Sequence, residues 1–249
     1  MIVRPRASVL TPFRHRRLAT QSSSARTFRG LALTTSIALG SAFGGFKMAE
    51  MLTPATTPPL PSDPREQSAQ QLAVEERVLQ HPVALEYRQK ADFEESRAYD
   101  AYPVQYRAGS LTVGTLSGPG KVTVWPLLFN EKSGKSIVSI LHLGNYVCGH
   151  PGIVHGGLLA TLLDEGLARC CFPALPNKIA VTANLNIDFR APTKADSVVV
   201  LRATTTKVEG RKAWVEGTIE GEDGTVLVQA KALYIEPKFA STLKRIVPM

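Results

Sequence analysis

The chain has 249 residues, 44% of them apolar and 20% charged, enough for one globular domain with a substantial core plus accessory segments. Its net charge of +8 points to nucleic acid only until the charge is located: eight of the 29 Lys and Arg lie in residues 1–49, which hold no Asp or Glu, and the remaining 21 match the 21 acids. The folded part is therefore neutral, which argues against a duplex-binding surface, and Cys148, Cys170 and Cys171 form neither a C-x-x-C pair nor a disulfide framework.

In chain order, residues 1–49 come first, rich in Arg, Ser and Thr, with Arg4, Arg6, Arg14, Arg16, Arg17, Arg26 and Arg29. This is the composition of a mitochondrial transit peptide, so the protein is expected in the matrix or at the inner membrane. Residues 30–46 are uncharged for 17 positions, the low end of what spans a hydrocarbon core, and four glycines weaken the stretch; it is a candidate inner-membrane anchor. Residues 50–64 follow as a linker, with five prolines between 53 and 64 that favour a stiff extended spacer. Residues 65–98 read as helix, broken at His81-Pro82, and 65–108 together form a helical arm that carries no chemistry.

From about Leu111 the period becomes strand-like, and 109–238 read as one domain, followed by a tail over 239–249. Lys121–Asn130 is a strand, Glu131–Lys135 a turn and Ser136–Leu143 a second strand. Gly156 to about Cys171 is a helix that is apolar nearly all round and therefore buried. Ile179–Arg190 alternates most clearly, with Val181, Ala183, Leu185, Ile187 and Phe189 on one face and Thr182, Asn184, Asn186, Asp188 and Arg190 on the other. Val198–Val208, Arg211–Glu220 and Val226–Ile235 are joined by short Gly-containing turns, which means antiparallel hairpins. The class is α+β: an antiparallel sheet of five to six strands with one long helix on it.

The chemistry is concentrated in one stretch, His155-Gly156-Gly157 through Asp164. Gly156 and Gly157 stand where a loop becomes a helix, so unpaired backbone N–H groups there attract negative charge, and glycines let a ligand come close. That is a recipe for polarising a carbonyl oxygen. Asp164, in the middle of the apolar helix, is expensive to bury without a task. It follows Gly157 by seven residues, which returns to within about 20° of the same face. Glu165 points about 100° away and reads as solvated or structural. His155, just before the helix, reads as a cap or a loop-fixing residue, and Asn145 as a positioner of loop or substrate.

Taken together, His155-Gly156-Gly157 with Asp164, then Val181-Thr182-Ala183-Asn184-Leu185-Asn186 and Val208-Glu209-Gly210-Arg211-Lys212, resemble the hotdog-fold acyl-CoA thioesterases. The nearest group is the PaaI-like proteins that include mitochondrial thioesterase superfamily members of animals, and the resemblance covers roughly residues 110–237. It implies a curved sheet around the central helix and a homodimer or dimer of dimers with sites at the interface. It further implies hydrolysis of an acyl-CoA without cofactor or metal. The implied roles are the N–H of Gly157 or Gly156 on the thioester oxygen, Asp164 as base or nucleophile, and Thr182 helping to hold the water. Arg211 and Lys212 are candidates for the coenzyme A phosphates, with Asn184 and Asn145 also set toward substrate. The strand period adds one expectation of its own: Thr182 lies on the face away from its own helix, so it should serve the partner's site.

Two other classes compete. One is a hotdog protein that binds acyl-CoA without hydrolysing it; the other is a hotdog dehydratase, which usually wants a His working across the site. Within the hydrolase class, an acyl or polyketide chain on a carrier protein could replace acyl-CoA. A serine thioesterase is disfavoured because no G-x-S-x-G elbow occurs.

Overall fold

A computed structural model describes residues 64–242, all within the compact unit Ala49–Met249. The leader, its uncharged stretch 30–46 and the linker up to residue 63 lie outside the described residues, as do 243–249 of the tail. No helix among the described residues is long and apolar enough to cross a membrane.

The arm opens with α1 (Pro64–Leu79) and α2 (Pro82–Arg88). The break between them lies at His81-Pro82, as the sequence indicates. Pro82 takes the first helical turn, where its missing N–H is harmless, and the His81 imidazole caps α2 by accepting from Val83 N–H at 3.2 Å.

The helical reading of 65–98 fails beyond α2. Phe93–Arg97 is a strand, β1, paired antiparallel with β2 (Leu127–Glu131) from Phe93 opposite Glu131 to Arg97 opposite Leu127. Its sequence, Phe-Glu-Glu-Ser-Arg, holds one apolar residue, so the conformation comes from pairing rather than from pattern. The sheet accordingly has seven strands. The expected strand over Lys121–Asn130 is also shorter at its start: Val122 makes only isolated bridges to Ser117 and Leu143, and regular pairing begins after Pro126.

The other expected elements appear: β3 (Ser136–Leu143) and, after a small hairpin of β4 (Cys148–His150) and β5 (Ile153–Val154) that the sequence does not signal, helix α3 (Gly156–Cys171), then β6 (Val181–Phe189), β7 (Ser197–Glu209), β8 (Lys212–Glu220) and β9 (Val226–Ile235). The sheet order is β1-β2-β3-β7-β8-β9-β6, every pair antiparallel. The β7–β8 turn is the two residues Gly210-Arg211, with Gly210 at φ 56°, a backbone region open to glycine. The sheet wraps α3 in the hotdog arrangement: Leu158, Leu159, Leu162, Leu163 and Leu167 pack with Leu141, Val199, Leu201, Val215, Ile219 and Tyr234. On the far side, Val74, Val78 and Ala84 of the arm cover Phe129, Val138, Ile140, Val198 and Val200. Strand β6 forms the open edge, mostly exposed along its length.

Candidate active site

The start of α3 is built by His155. Its backbone N–H is pinned to Val147 O at 2.8 Å, and the preceding Val154 N–H to Thr193 O at 2.9 Å. As the N-cap residue it uses both ends: its carbonyl accepts from Leu158 and Leu159, and its ring Nδ1 accepts from Gly157 N–H at 2.9 Å. A backbone N–H can only donate, so Nδ1 carries no proton in this arrangement. His155 therefore fixes the loop and caps the helix.

This bond also separates the two glycines. Gly157 N–H is taken, and a Cβ there would lie 2.9 Å from His155 Nδ1, so the position needs glycine for the cap itself. Gly156 N–H has no acceptor among the described residues and is the donor left over at the positive end of the helix. The ring of Phe189, itself 57% exposed, stands beside it: a Cβ on Gly156 would lie 3.3 Å from Phe189 Cε1.

Two turns on, Asp164 is partly exposed rather than sealed in the core, on a stripe of α3 shared with Gly157, Ala160, Thr161 and Ala168 beside the β6 edge. Thr182 Oγ1 donates to Asp164 Oδ1 at 2.7 Å within the same chain. The expectation that Thr182 faces away from its own helix is thus incorrect. The cause is a β-bulge: Thr182 pairs with Tyr234, but Asn184 already pairs with Leu233, so Ala183 is an extra residue. The bulge turns Thr182 to the helix side, which it shares with Leu185 and Ile187, and turns Val181, 56% exposed, away from it.

Sequence reasoning missed Tyr234. It is fully buried, and its hydroxyl donates to Asp164 O at 2.8 Å and stands 3.4 Å from Asp164 Oδ1. Burial, and then the negative charge of Asp164, push the phenol well above its usual range, so it stays a neutral donor. On β9 the inward neighbours Ala230 and Ala232 are small, and a single large polar residue ending such a row was the available signal. Glu165 has a structural set of partners, accepting from Arg169 at 3.1 Å and from Tyr99 at 3.3 Å.

The remaining candidates spread out. Asn145 begins the short turn Asn145–Val147 that holds His155 from behind. Asn184 lies on the face of β6 opposite Asp164 and accepts from Asn186 at 3.0 Å. Arg211 Nη1 donates to Glu236 O at 2.7 Å, clasping the ends of β8 and β9. Lys212 is exposed and lies opposite Ile235, which lies opposite Val181, so it sits about 10 Å across the sheet from the residue before Thr182. No cluster of three or more His, Cys, Asp or Glu that could hold a metal occurs among the described residues.

A hotdog sheet, a glycine-led helix start with one unused amide, and a carboxylate tethered two turns below it define a thioesterase-type protein. The thioesterase superfamily pattern matches residues 151–228, so the chain carries a domain of that superfamily there. A UPF0644 protein of Schizosaccharomyces pombe is 37% identical over 223 residues, 86% of this chain and 82% of that protein. A Candida albicans protein called "uncharacterized protein, mitochondrial" is 34% identical over 145 residues, 56% of this chain and 65% of its own length. Acyl-coenzyme A thioesterase THEM4 of Rattus norvegicus is 42% identical over 110 residues, 44% of this chain, and the match spans 46% of that thioesterase.

Proposed function

We propose that the protein hydrolyses acyl-CoA thioesters to the free acid and coenzyme A. The observation that carries this reading is the tether on Asp164: Thr182 holds Oδ1 at 2.7 Å, which leaves Oδ2 uncommitted at the open edge of the sheet. In the reaction Oδ2 takes a proton from a water, and the water oxygen attacks the thioester carbon. The carbonyl oxygen becomes an oxyanion and is held by Gly156 N–H. Collapse breaks the C–S bond, and the departing thiolate takes the proton from Asp164.

Gly156 and Asp164 are eight residues apart in α3, about 12 Å along the axis. A donor, a carbonyl, an attacking water and its base form a bent path about 7 Å from end to end. One chain's amide and carboxylate therefore do not meet at one thioester. A homodimer resolves this, with Asp164 and Thr182 of one protomer facing Gly156 of the other. In support, β6 is an edge strand, paired on one side only, with β9, and Phe189 stands exposed beside the start of α3.

The Arg-rich leader and the mitochondrial naming of the Candida relative support a mitochondrial location, with residues 1–49 as the import segment and 30–46 as the candidate anchor. Carbonate extraction of mitochondria tests the anchor, which release into the supernatant would rule out.

The enzymatic reading is tested by thiol release from acyl-CoAs of graded length. Asp164→Asn should lower kcat by about 10²–10⁴-fold with the fold intact. Wild-type turnover in that variant refutes the mechanism. Binding of acyl-CoA without thiol release by either protein identifies a non-catalytic binder instead. Activity only on acyl groups attached to a carrier protein would move the substrate class. A single turnover in ¹⁸O-water places the label in the acid and leaves the enzyme unlabelled; label in Asp164 would show that it attacks as a nucleophile.

A further inference from the structure

Asp164 hangs on three elements, and only two of them follow from the chemistry argued so far. Helix α3 carries it and Thr182 on β6 tethers its Oδ1. The third is β9, through Tyr234, directly opposite Thr182 in the strand pairing. The Tyr234 hydroxyl touches the residue twice, at the main-chain oxygen (2.8 Å) and near Oδ1 (3.4 Å).

Packing alone does not explain that hydroxyl. The ring is fully buried, and a phenylalanine would fill the same space without a polar group to satisfy. Nor does Asp164 O need the bond, because a carbonyl within α3 already accepts from the amide four residues on. The hydroxyl instead occupies the second lone pair of that carbonyl and stands over the side of the carboxylate that Thr182 holds. Its small neighbours Ala230 and Ala232 bring β9 close enough to the helix for this reach. The bulge at Ala183 then delivers Thr182 to the same oxygen.

We infer that Tyr234 is a positioning residue for the hydrolysis: with Thr182 it fixes the rotamer of Asp164, so that Oδ1 stays in the protein and Oδ2 is presented to water. Tyr234 touches neither substrate nor water; it acts through Asp164. The inference rests on the thioesterase reading.

Tyr234→Phe removes one oxygen and keeps the ring. Its kcat on acyl-CoA should fall about 10- to 100-fold, as expected for a base that loses its aim, while KM stays within about twofold. The thermal midpoint and the oligomeric state should match the wild type. Thr182→Ala should behave alike, and the double variant should lose much less than the product of the single losses, because both hydroxyls hold one carboxylate. Tyr234→Phe with wild-type kcat overturns the inference and leaves the thioesterase reading standing. A lowered kcat accompanied by an equally changed KM and a lowered thermal midpoint also overturns it, since that marks a merely structural residue. A wild-type chain that hydrolyses no acyl thioester fails at the earlier step and overturns both.

Discussion

The two halves of the sheet are built differently. In β3 and the first part of β7 both faces are covered, by α3 within and by α1 and α2 without, and Val198, Val199, Val200 and Leu201 are buried in succession; β2 is covered by the arm on one face and by Ala98, Tyr99 and Val113 on the other. This is the pattern of a strand that meets no solvent on either side. In β8, β9 and β6 the inner face packs on α3 but the outer face is polar, with Lys231 bonded to Glu216 at 2.8 Å and Asn184, Asn186 and Asp188 exposed. Every residue that tethers Asp164 comes from the second half. The covered half supplies stability and a rigid wall, and the open half supplies the site and an edge for a second chain.

That division should show first in the covered half. Phe129, 1% exposed between the sheet and Tyr87 of the arm, should cost about 3–5 kcal/mol of stability when changed to Ala, read by denaturant unfolding. What remains folded should keep the wild-type KM, because the residue lies on the face away from α3. A change in KM at unchanged stability would break the comparison.

The next effect belongs to the open half and to the helix start. Gly156→Pro deletes the unused N–H at a helical position where proline is favoured, and His155 already has the extended backbone, ψ 129°, that precedes a proline. Loss of one oxyanion donor should lower kcat by about 10²–10³-fold with little loss of stability. Mixed with Asp164→Asn protein, it should regain activity approaching about a quarter of wild type, since heterodimers keep one intact site. Mixed dimers shown to form but inactive would mean that each site is built from one chain.

What the sequence discloses follows the same division. The apolar run of α3, its His155 cap, the alternation of β8 and β9 and the short turns that join β7, β8 and β9 could be read directly. Strand β1 could not, because Glu94, Glu95 and Ser96 take their form from pairing with β2. The orientation of Thr182 was misread because a bulge at Ala183 shifts the alternation by one, and neither glycine nor proline marks it. Tyr234 was hidden for a related reason: β6 and β9 are neighbours in space but not in sequence, so no hairpin turn fixes their register. Gly156 and Gly157 look equivalent until His155 Nδ1 takes the amide of one.

A smaller effect is expected at that cap. His155→Ala should cost about 0.5–2 kcal/mol of stability through the lost N-cap bond. It should also lower kcat, because the ring holds the first turn that aims Gly156. Stability lost with kcat unchanged would confine His155 to the fold.

The smallest effect is the one that places the nucleotide end of the substrate. Lys212 and Thr182 lie at the same end of the open half, two strands apart, and Lys212 is exposed. An exposed ammonium facing a phosphate contributes at most about 1 kcal/mol, so Lys212→Ala should raise KM for acyl-CoA by no more than about fivefold. Because KM would report lost attraction rather than lost chemistry, kcat should stay the same. Raising the salt should weaken wild-type binding and narrow the gap between the two proteins, as screening removes the attraction that the variant lacks. A gap that persists unchanged at high salt would assign Lys212 to packing of the β7–β8 turn. An unchanged KM would move the phosphate site away from this end of the sheet.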